Sequence, residues 1–254
     1  MKHLLNEFDE SKTAILNPTD TVIKEEGFPL VAVGTFSPSL MEALATWEGI
    51  ERIGELTSSN GRTPIYKLNH RNKEVAIFKT WVGAPATAGC VEEMIAKGVK
   101  SIVLFGSCGV LQHELVDGKI IVPIAAIRDE GTSYHYARAS DEITLEKTSI
   151  KTMQEVLEEL GYSYVLGKTW TTDAFYRETK DKVQRRKEAG AICVEMDCSA
   201  IAAVTKFRDV KFAQFLYAAD NLDAPKWEPR MLGKHQLSQK EELLNIALDI
   251  AIRL

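Results

Sequence analysis

From residue 29 to the C-terminus, short unbroken apolar runs alternate with longer segments whose apolar positions recur every three or four residues. The first kind reads as strands buried on both faces, the second as amphipathic helices. Strands are predicted at 29–33, 74–81, 101–105, 119–127, 162–170, 191–196 and 211–217. The Asn60-Gly61 pair predicts a turn with a hairpin strand at 64–68. Helices are predicted at 38–47, 87–97, 145–160, 179–188, 198–207 and 238–254. Ser37 suits the N-cap of the first, with Pro38 at its first helical position. Ser238-Gln239-Lys240-Glu241 has the form of a capping box opening the last. Residues 1–28 are mixed and polar, with turn chemistry at Asn17-Pro18-Thr19-Asp20. They read as an N-terminal arm lying on the domain or on a partner subunit.

Alternating strands and helices with continuous apolar strands imply an α/β fold whose sheet is mainly parallel and covered on both faces. No linker rich in Pro, Gly or Ser and no repeat interrupts the pattern, so 29–254 reads as one domain. The chain has 254 residues, enough for one well-buried core. Lys and Arg number 31 against 36 Asp and Glu, a net charge of −5. That disfavours a general binder of nucleic acid or of anionic membranes. The four cysteines, at 90, 108, 193 and 198, form no CxxC pair and no Cys/His cluster of zinc-finger spacing. They read as reduced thiols, and no metal site is expected. The N-terminal MKHLLNEFDESK has too short an apolar stretch for a signal peptide, and no run approaches the roughly 18 apolar residues of a membrane span. A cytoplasmic protein is the expectation.

In sheets of this kind ligands bind at the carboxyl ends of the strands. Four predicted strand ends carry unusual residues: Gly34-Thr35-Phe36-Ser37, Gly106-Ser107-Cys108-Gly109, Glu195-Met196-Asp197 and Ala219-Asp220-Asn221. Each also has a purely structural reading. The two glycine segments fit tight turns, or backbone cradles for a phosphate oxygen. Neither is a P-loop or a G-x-S-x-G elbow. Asp197 fits a helix cap. Glu195, behind the apolar Cys193-Val194, is a buried carboxylate in need of partners, which vicinal sugar hydroxyls could supply. Asp220 fits a turn, or a general acid whose pKa is raised by its apolar setting. Phe175 and Tyr176 fit an aromatic core or a base-stacking platform. The polar, aromatic stretch 129–136, with His135, fits a loop near a site or a plain solvated loop.

In order along the chain stand GAPATAG followed by VEE, FGSCGVL, DGKIIVPIAAIRDEGTSYHY, TTDAFYRET, VEMD followed by SA, and AADN. In this order the chain resembles the nucleoside phosphorylase family, the group of hexameric purine nucleoside phosphorylases, uridine phosphorylases and methylthioadenosine nucleosidases. The resemblance implies a single α/β domain with a mixed, mostly parallel central sheet flanked by helices. It implies a cytoplasmic pentosyltransferase that cleaves the N-glycosidic bond of a purine-like nucleoside with phosphate. The products are free base and (deoxy)ribose 1-phosphate. Phosphate would be the co-substrate, with no organic cofactor. The protein would be a homo-oligomer, from a dimer to a trimer of dimers, that binds neither nucleic acid nor membrane.

By the same resemblance Phe175 stacks on the base and Met196 lies against sugar and base. Asp197 stands where the family has a ribose-binding Glu, with Glu195 two positions before it. Asp220 is the acid at purine N7, and Arg230 corresponds to the arginine that assists it. Gly34 and Ser107 match phosphate-site positions, and Cys108, Gly109 and His135 fall with the substrate site. Arg62 corresponds to an arginine that reaches a neighbouring subunit's phosphate.

Two departures bear on the nucleophile. GTFSPSL lacks the arginine that the family's phosphorylases carry after the first Gly turn, and Leu104 replaces another three residues before Ser107. Each such bond is worth about 1.5–3 kcal/mol. Losing two weakens phosphate by roughly 10²–10⁴ unless Thr35, Ser37 or Arg128 compensates. A phosphate-independent nucleosidase therefore stands as the alternative. Against it, GTFSPSL holds no carboxylate to activate water. A nucleoside-binding homologue without turnover is the third reading.

Overall fold

The computed structural model describes residues 4–24 and 26–254. Of the N-terminal arm over 1–28, residues 1–3 and 25 lie outside the described set. The strands are β1 (Val31–Thr35), β2 (Glu51–Ser58), β3 (Gly61–His70), β4 (Lys73–Lys79), β5 (Ser101–Val110), β6 (Ile120–Asp129), β7 (Glu142–Thr144), β8 (Tyr164–Thr172), β9 (Ala191–Glu195) and β10 (Lys211–Asn221). The helices are α1 (Pro18–Thr21), α2 (Pro38–Leu44), α3 (Ala84–Lys97), α4 (Lys147–Glu159), α5 (Lys180–Glu188), α6 (Cys198–Phe207) and α7 (Leu237–Ala251).

The order β10-β6-β8-β9-β5-β1-β4-β3-β2 mixes parallel and antiparallel pairs. β10 also pairs with β5, so β5, β10, β6, β8 and β9 close into a ring. β1, β4, β3 and β2 extend from β5 as an open sheet, and the short β7 pairs antiparallel with β6. Period-two alternation sorts the side chains of β5 between two layers. Val103 and Phe105 pack with α2, α4 and α7, whereas Ile102 and Leu104 pack with α3 and α6. Inside the ring Cys108, Val110, Ile121, Cys193, Leu216 and Ala218 meet. All four cysteines are free and buried.

The predicted elements are present with altered ends. Ser37 caps α2 through a hydrogen bond from the Leu40 N–H, but that helix stops at Leu44. α7 starts at Leu237, and its first turn is closed by Gln239 Oε1 accepting from the Gln236 N–H at 2.9 Å, so the cap lies two residues before the one predicted. β2 escaped the sequence pattern because Leu56 is its one buried residue, as suits an edge strand. Arg71 and Asn72, at φ 49° and 66°, make the turn between β3 and β4. No helix among the described residues is long and apolar enough to cross a membrane.

The largest correction concerns the glycine segments. Gly106-Ser107-Cys108-Gly109 is no turn: β5 runs through it to Val110. Glycine is needed there because neighbours fill the β-carbon's place. A β-carbon on Gly106 would come within 2.8 Å of the Phe36 ring, and one on Gly109 within 2.4 Å of Leu222 Cδ1. Gly34 likewise lies inside β1, where a β-carbon would meet Leu104 Cδ2 at 2.3 Å and Phe78 at 2.8 Å. β10 also outlasts its prediction, reaching Asn221 and carrying Asp220 within it.

Candidate active site

A cleft of about 1080 Å³ opens over the carboxyl ends of β5, β9 and β10. It is lined by Gly106 to Gly109, Val194 to Asp197 and Asp220, together with Phe36 from the β1–α2 junction and Phe175, Tyr176 and Glu178 from the segment before α5. Leu222 to Trp227 close it from the β10–α7 connection. Eight residues proposed from the sequence therefore meet in one place: Ser107, Cys108, Gly109, Phe175, Glu195, Met196, Asp197 and Asp220.

The carboxylates at 195 and 197 differ in what holds them. Glu195 ends β9 and is 8% exposed. Its Oε1 accepts from the hydroxyls of Thr171 at 2.6 Å and Thr169 at 3.3 Å, and its Oε2 from the N–H groups of Asp197 and Cys198, both at 2.7 Å. Those four bonds fill the acceptor sites of a carboxylate. They fasten the start of α6, where the helix dipole favours a negative charge. Burial nevertheless pushes the Glu195 carboxyl up to about 7, with the charge of Asp197 adding to it and Thr171 opposing.

Asp197, 5% exposed, occupies the N-cap position of α6 but makes no cap bond. Its Oδ1 crosses to the Gly83 N–H at 2.9 Å and the Thr87 hydroxyl at 2.6 Å, both at the start of α3. Oδ2 has no hydrogen bond among the described residues, and the side chain lines the cleft. Burial raises the Asp197 carboxyl to about 6, against the pull of Thr87 and Gly83. Asp197 is thus the better placed of the two to accept from a ligand hydroxyl.

Asp220 reaches the cleft through a one-residue irregularity in β10. Ala218 pairs with Cys108, and Asp220, not Ala219, pairs with Gly109. Its Oδ1 stands 3.3 Å from where a β-carbon on Gly109 would be. Its Oδ2 accepts from the Trp227 indole N–H at 2.7 Å. Burial raises its pKa, and Trp227, then Arg230, hold the rise back. Phe175 and Tyr176 are exposed at the rim, their rings 4.2 Å apart, so they are no part of the core.

Four proposed residues lie outside the cleft. Gly34 is packed inside β1. Arg62 is exposed on β3, 3.3 Å from Glu55. His135 is exposed in a 3-10 turn over Thr132–His135. Arg230 turns away from Asp220, donating to the carbonyls of Leu115 at 2.7 Å and His113 at 3.2 Å. The suggested substitutes for a phosphate arginine are committed elsewhere. Arg128 is buried and bonded to Ser133, Ala137, Arg138 and Ser140; Thr35 is buried; Ser37 caps α2.

Sequence reasoning assigned no individual role to Phe36, Glu178, Gln214 or Trp227. Glu178 is pushed to about 7 by burial and by Asp220 nearby. Gln214 is 1% exposed, lines the cleft, and has its Oε1 buried without a hydrogen-bond partner among the described residues. The signal for Gln214 was present: an amide inside the apolar run of β10 calls for a partner.

The family sequence model of the phosphorylase superfamily matches residues 31–248. The guanosine phosphorylase of Halorubrum lacusprofundi is 25% identical over 170 residues, 67% of this chain and 70% of that protein. A purine nucleoside phosphorylase of the DeoD type from Bacillus cereus is 25% identical over 191 residues, 72% and 78% of the two chains. Among solved structures, Toxoplasma gondii purine nucleoside phosphorylase in complex with immucillin-H superposes with a TM-score of 0.75 at 18% identity, covering 89% of this chain and 91% of its own. Uridine phosphorylase from Vibrio fischeri gives 0.74 at 20% identity, covering 91% and 95%.

Proposed function

Because the chain belongs to the phosphorylase superfamily, we propose that its cleft carries out phosphorolysis of a purine nucleoside. The observation that carries this reading is the meeting of Asp197, Asp220 and Phe175 in one cleft. Phe175 offers a ring face to the base. Ionised Asp197 accepts from a pentose hydroxyl through its unpartnered oxygen. Phosphate attacks C1′ as the N9–C1′ bond breaks, its electron pair passing into the purine. Asp220 delivers a proton to N7, neutralising the leaving base. The positive charge that develops on the sugar is met by the carboxylates beneath it.

One observation favours a second reading. Among the described residues the cations lining the cleft are Lys180, Lys187 and Lys226, with no arginine, and Lys187 is paired with Asp223 at 2.5 Å. Phosphate would need charge from a neighbouring subunit, for which Arg62 is the candidate; otherwise water attacks in its place. The two are separated by incubating the protein with inosine, guanosine, adenosine, uridine and methylthioadenosine, with and without phosphate, and following free base. Phosphate-dependent release from purine nucleosides supports phosphorolysis. Release independent of phosphate supports hydrolysis, and saturable binding without release supports neither. Asp220→Asn is expected to cut turnover of purine substrates about 10²-fold or more with nucleoside binding nearly intact; an unchanged rate removes Asp220 from the reaction.

A further inference from the structure

We propose that Trp227 is the positioning residue for Asp220, fixing its carboxyl so that the proton given to the base sits on Oδ1, the role a neighbouring arginine would otherwise fill. Trp227 is 57% exposed, yet its indole N–H lies 2.7 Å from Asp220 Oδ2. An indole N–H only donates. Oδ2 must therefore act as an acceptor, and a proton on this carboxyl belongs to the other oxygen, the one beside Gly109 at the cleft wall. In taking Asp220 as the proton donor, this rests on the phosphorolysis proposed above. The proton on Oδ1 then passes to N7 as the N9–C1′ electron pair enters the ring, leaving a carboxylate whose Oδ2 is still held by the indole.

The backbone sets the indole in place before any ligand arrives. Asn221 and Glu228 exchange both backbone hydrogen bonds, at 2.9 and 3.1 Å, and Asn221 Nδ2 donates to Glu228 Oε2 at 2.7 Å. The Met231 N–H returns to the Ala219 carbonyl at 3.0 Å. Trp227 thus stands next to Glu228 of this closed bridge and just ahead of Met231, the second anchor of its segment. Arg230, on the same segment, is only 15% exposed and spends its guanidinium on the carbonyls of His113 and Leu115. A neutral donor also suits a proton donor better than a cation does. It orients the carboxyl without holding it ionised as strongly as a guanidinium would. The other groups around Asp220 are Glu178 from the segment before α5, the Cys108 thiol on β5, Arg230, and the Lys187–Asp223 pair at the rim. Burial favours the protonated acid, and Arg230 opposes it more weakly than the indole does.

The test compares Trp227→Phe with Arg230→Gln in the pH profile of kcat/KM for inosine with phosphate. In Trp227→Phe the fall of activity on the high-pH side is expected to move upward by about one pH unit, because a donor to the carboxylate is lost. Its kcat at the optimum is expected to drop roughly ten-fold through lost orientation. Arg230→Gln should move the same limb less. A limb unmoved by Trp227→Phe, or moved further by Arg230→Gln, overturns the assignment. A second measurement needs no turnover. The difference in tryptophan emission between the parent and Trp227→Phe, followed from acid to neutral pH, should titrate, and the titration should vanish in Asp220→Asn. If Asp220→Asn leaves that curve unchanged, the contact is wrong. If the curve behaves as expected while no nucleoside is cleaved, the contact stands and the phosphorolysis falls.

Discussion

At the scale of single residues, two carboxylates two positions apart turn out to do different work. Glu195 spends both oxygens on threonine hydroxyls and on the N–H groups that open α6, so it builds the site. Asp197 keeps one oxygen for the cleft. Its carboxyl, raised by burial to about 6 from an ordinary 3.8, binds a proton more tightly in the folded protein than in the unfolded chain. The sign follows: the contribution to stability is fullest below the unfolded pKa and is lost as pH rises through the folded one. Asp197→Asn is therefore expected to flatten the fall in stability between about pH 4 and pH 6, an effect on the order of 2–3 kcal/mol, read from urea midpoints at several pH values. The same change should lower kcat/KM about 10–100-fold at neutral pH by removing the charged acceptor. Wild-type kcat/KM should fall below about pH 6 as Asp197 takes up its proton. A stability profile identical in slope to wild type would show that Asp197 titrates normally.

At the scale of elements, the glycines were visible and their purpose was not. Gly34, Gly106 and Gly109 interrupt apolar runs, and an interrupted run reads as a strand that has ended. In the structure the strands continue, and the missing side chains make room for Leu104, Phe36 and Leu222. Gly34→Ala would drive a methyl to 2.3 Å from Leu104 Cδ2 in a fully buried layer. Overpacking of this kind costs about 1–3 kcal/mol. The melting temperature should drop by several degrees, with KM for nucleoside unchanged where the protein is folded, as calorimetry and kinetics would show. An unaltered melting temperature would mean that Leu104 and Phe78 can give way at no cost, contrary to the packing seen. The irregularity that aims Asp220 belongs to this scale as well, because pairing between β5 and β10 defines it and neither strand carries its signature alone.

For the whole molecule, closure of the ring decides where the cleft lies. The strands β5, β9 and β10 come from distant parts of the sequence, and only their mutual pairing brings their carboxyl ends under one opening. The N-terminal arm lies against the C-terminal end of α6, with the Phe8 ring edge-on to Phe207 at 6.3 Å and ion pairs from Lys12 to Asp209 and from Glu10 to Arg138. The cleft's shortage of strong anion ligands is a property of this scale too. If a second copy completes the site, Arg62→Ala is expected to raise KM for phosphate at least ten-fold with little change in KM for nucleoside. Mixing that variant with Asp220→Asn protein should restore partial activity through mixed sites. No change in either KM removes Arg62 from the phosphate site.

Read alone, the sequence revealed the order of the helices from α2 onward and of every strand but β2 and β7, the two-sided burial of the sheet and the residue types gathered at the strand ends. Those depend on periodicity and on neighbours a few positions away, which a single chain displays. Only the folded arrangement shows that Glu195 is saturated and Asp197 is not, that Arg230 faces the β5–β6 connection while Trp227 reaches Asp220, and that Gly34 serves packing. Each of these depends on what stands opposite in space, from Thr87 on α3 to Leu104 on β5. Spacing along the chain carries no record of that distance.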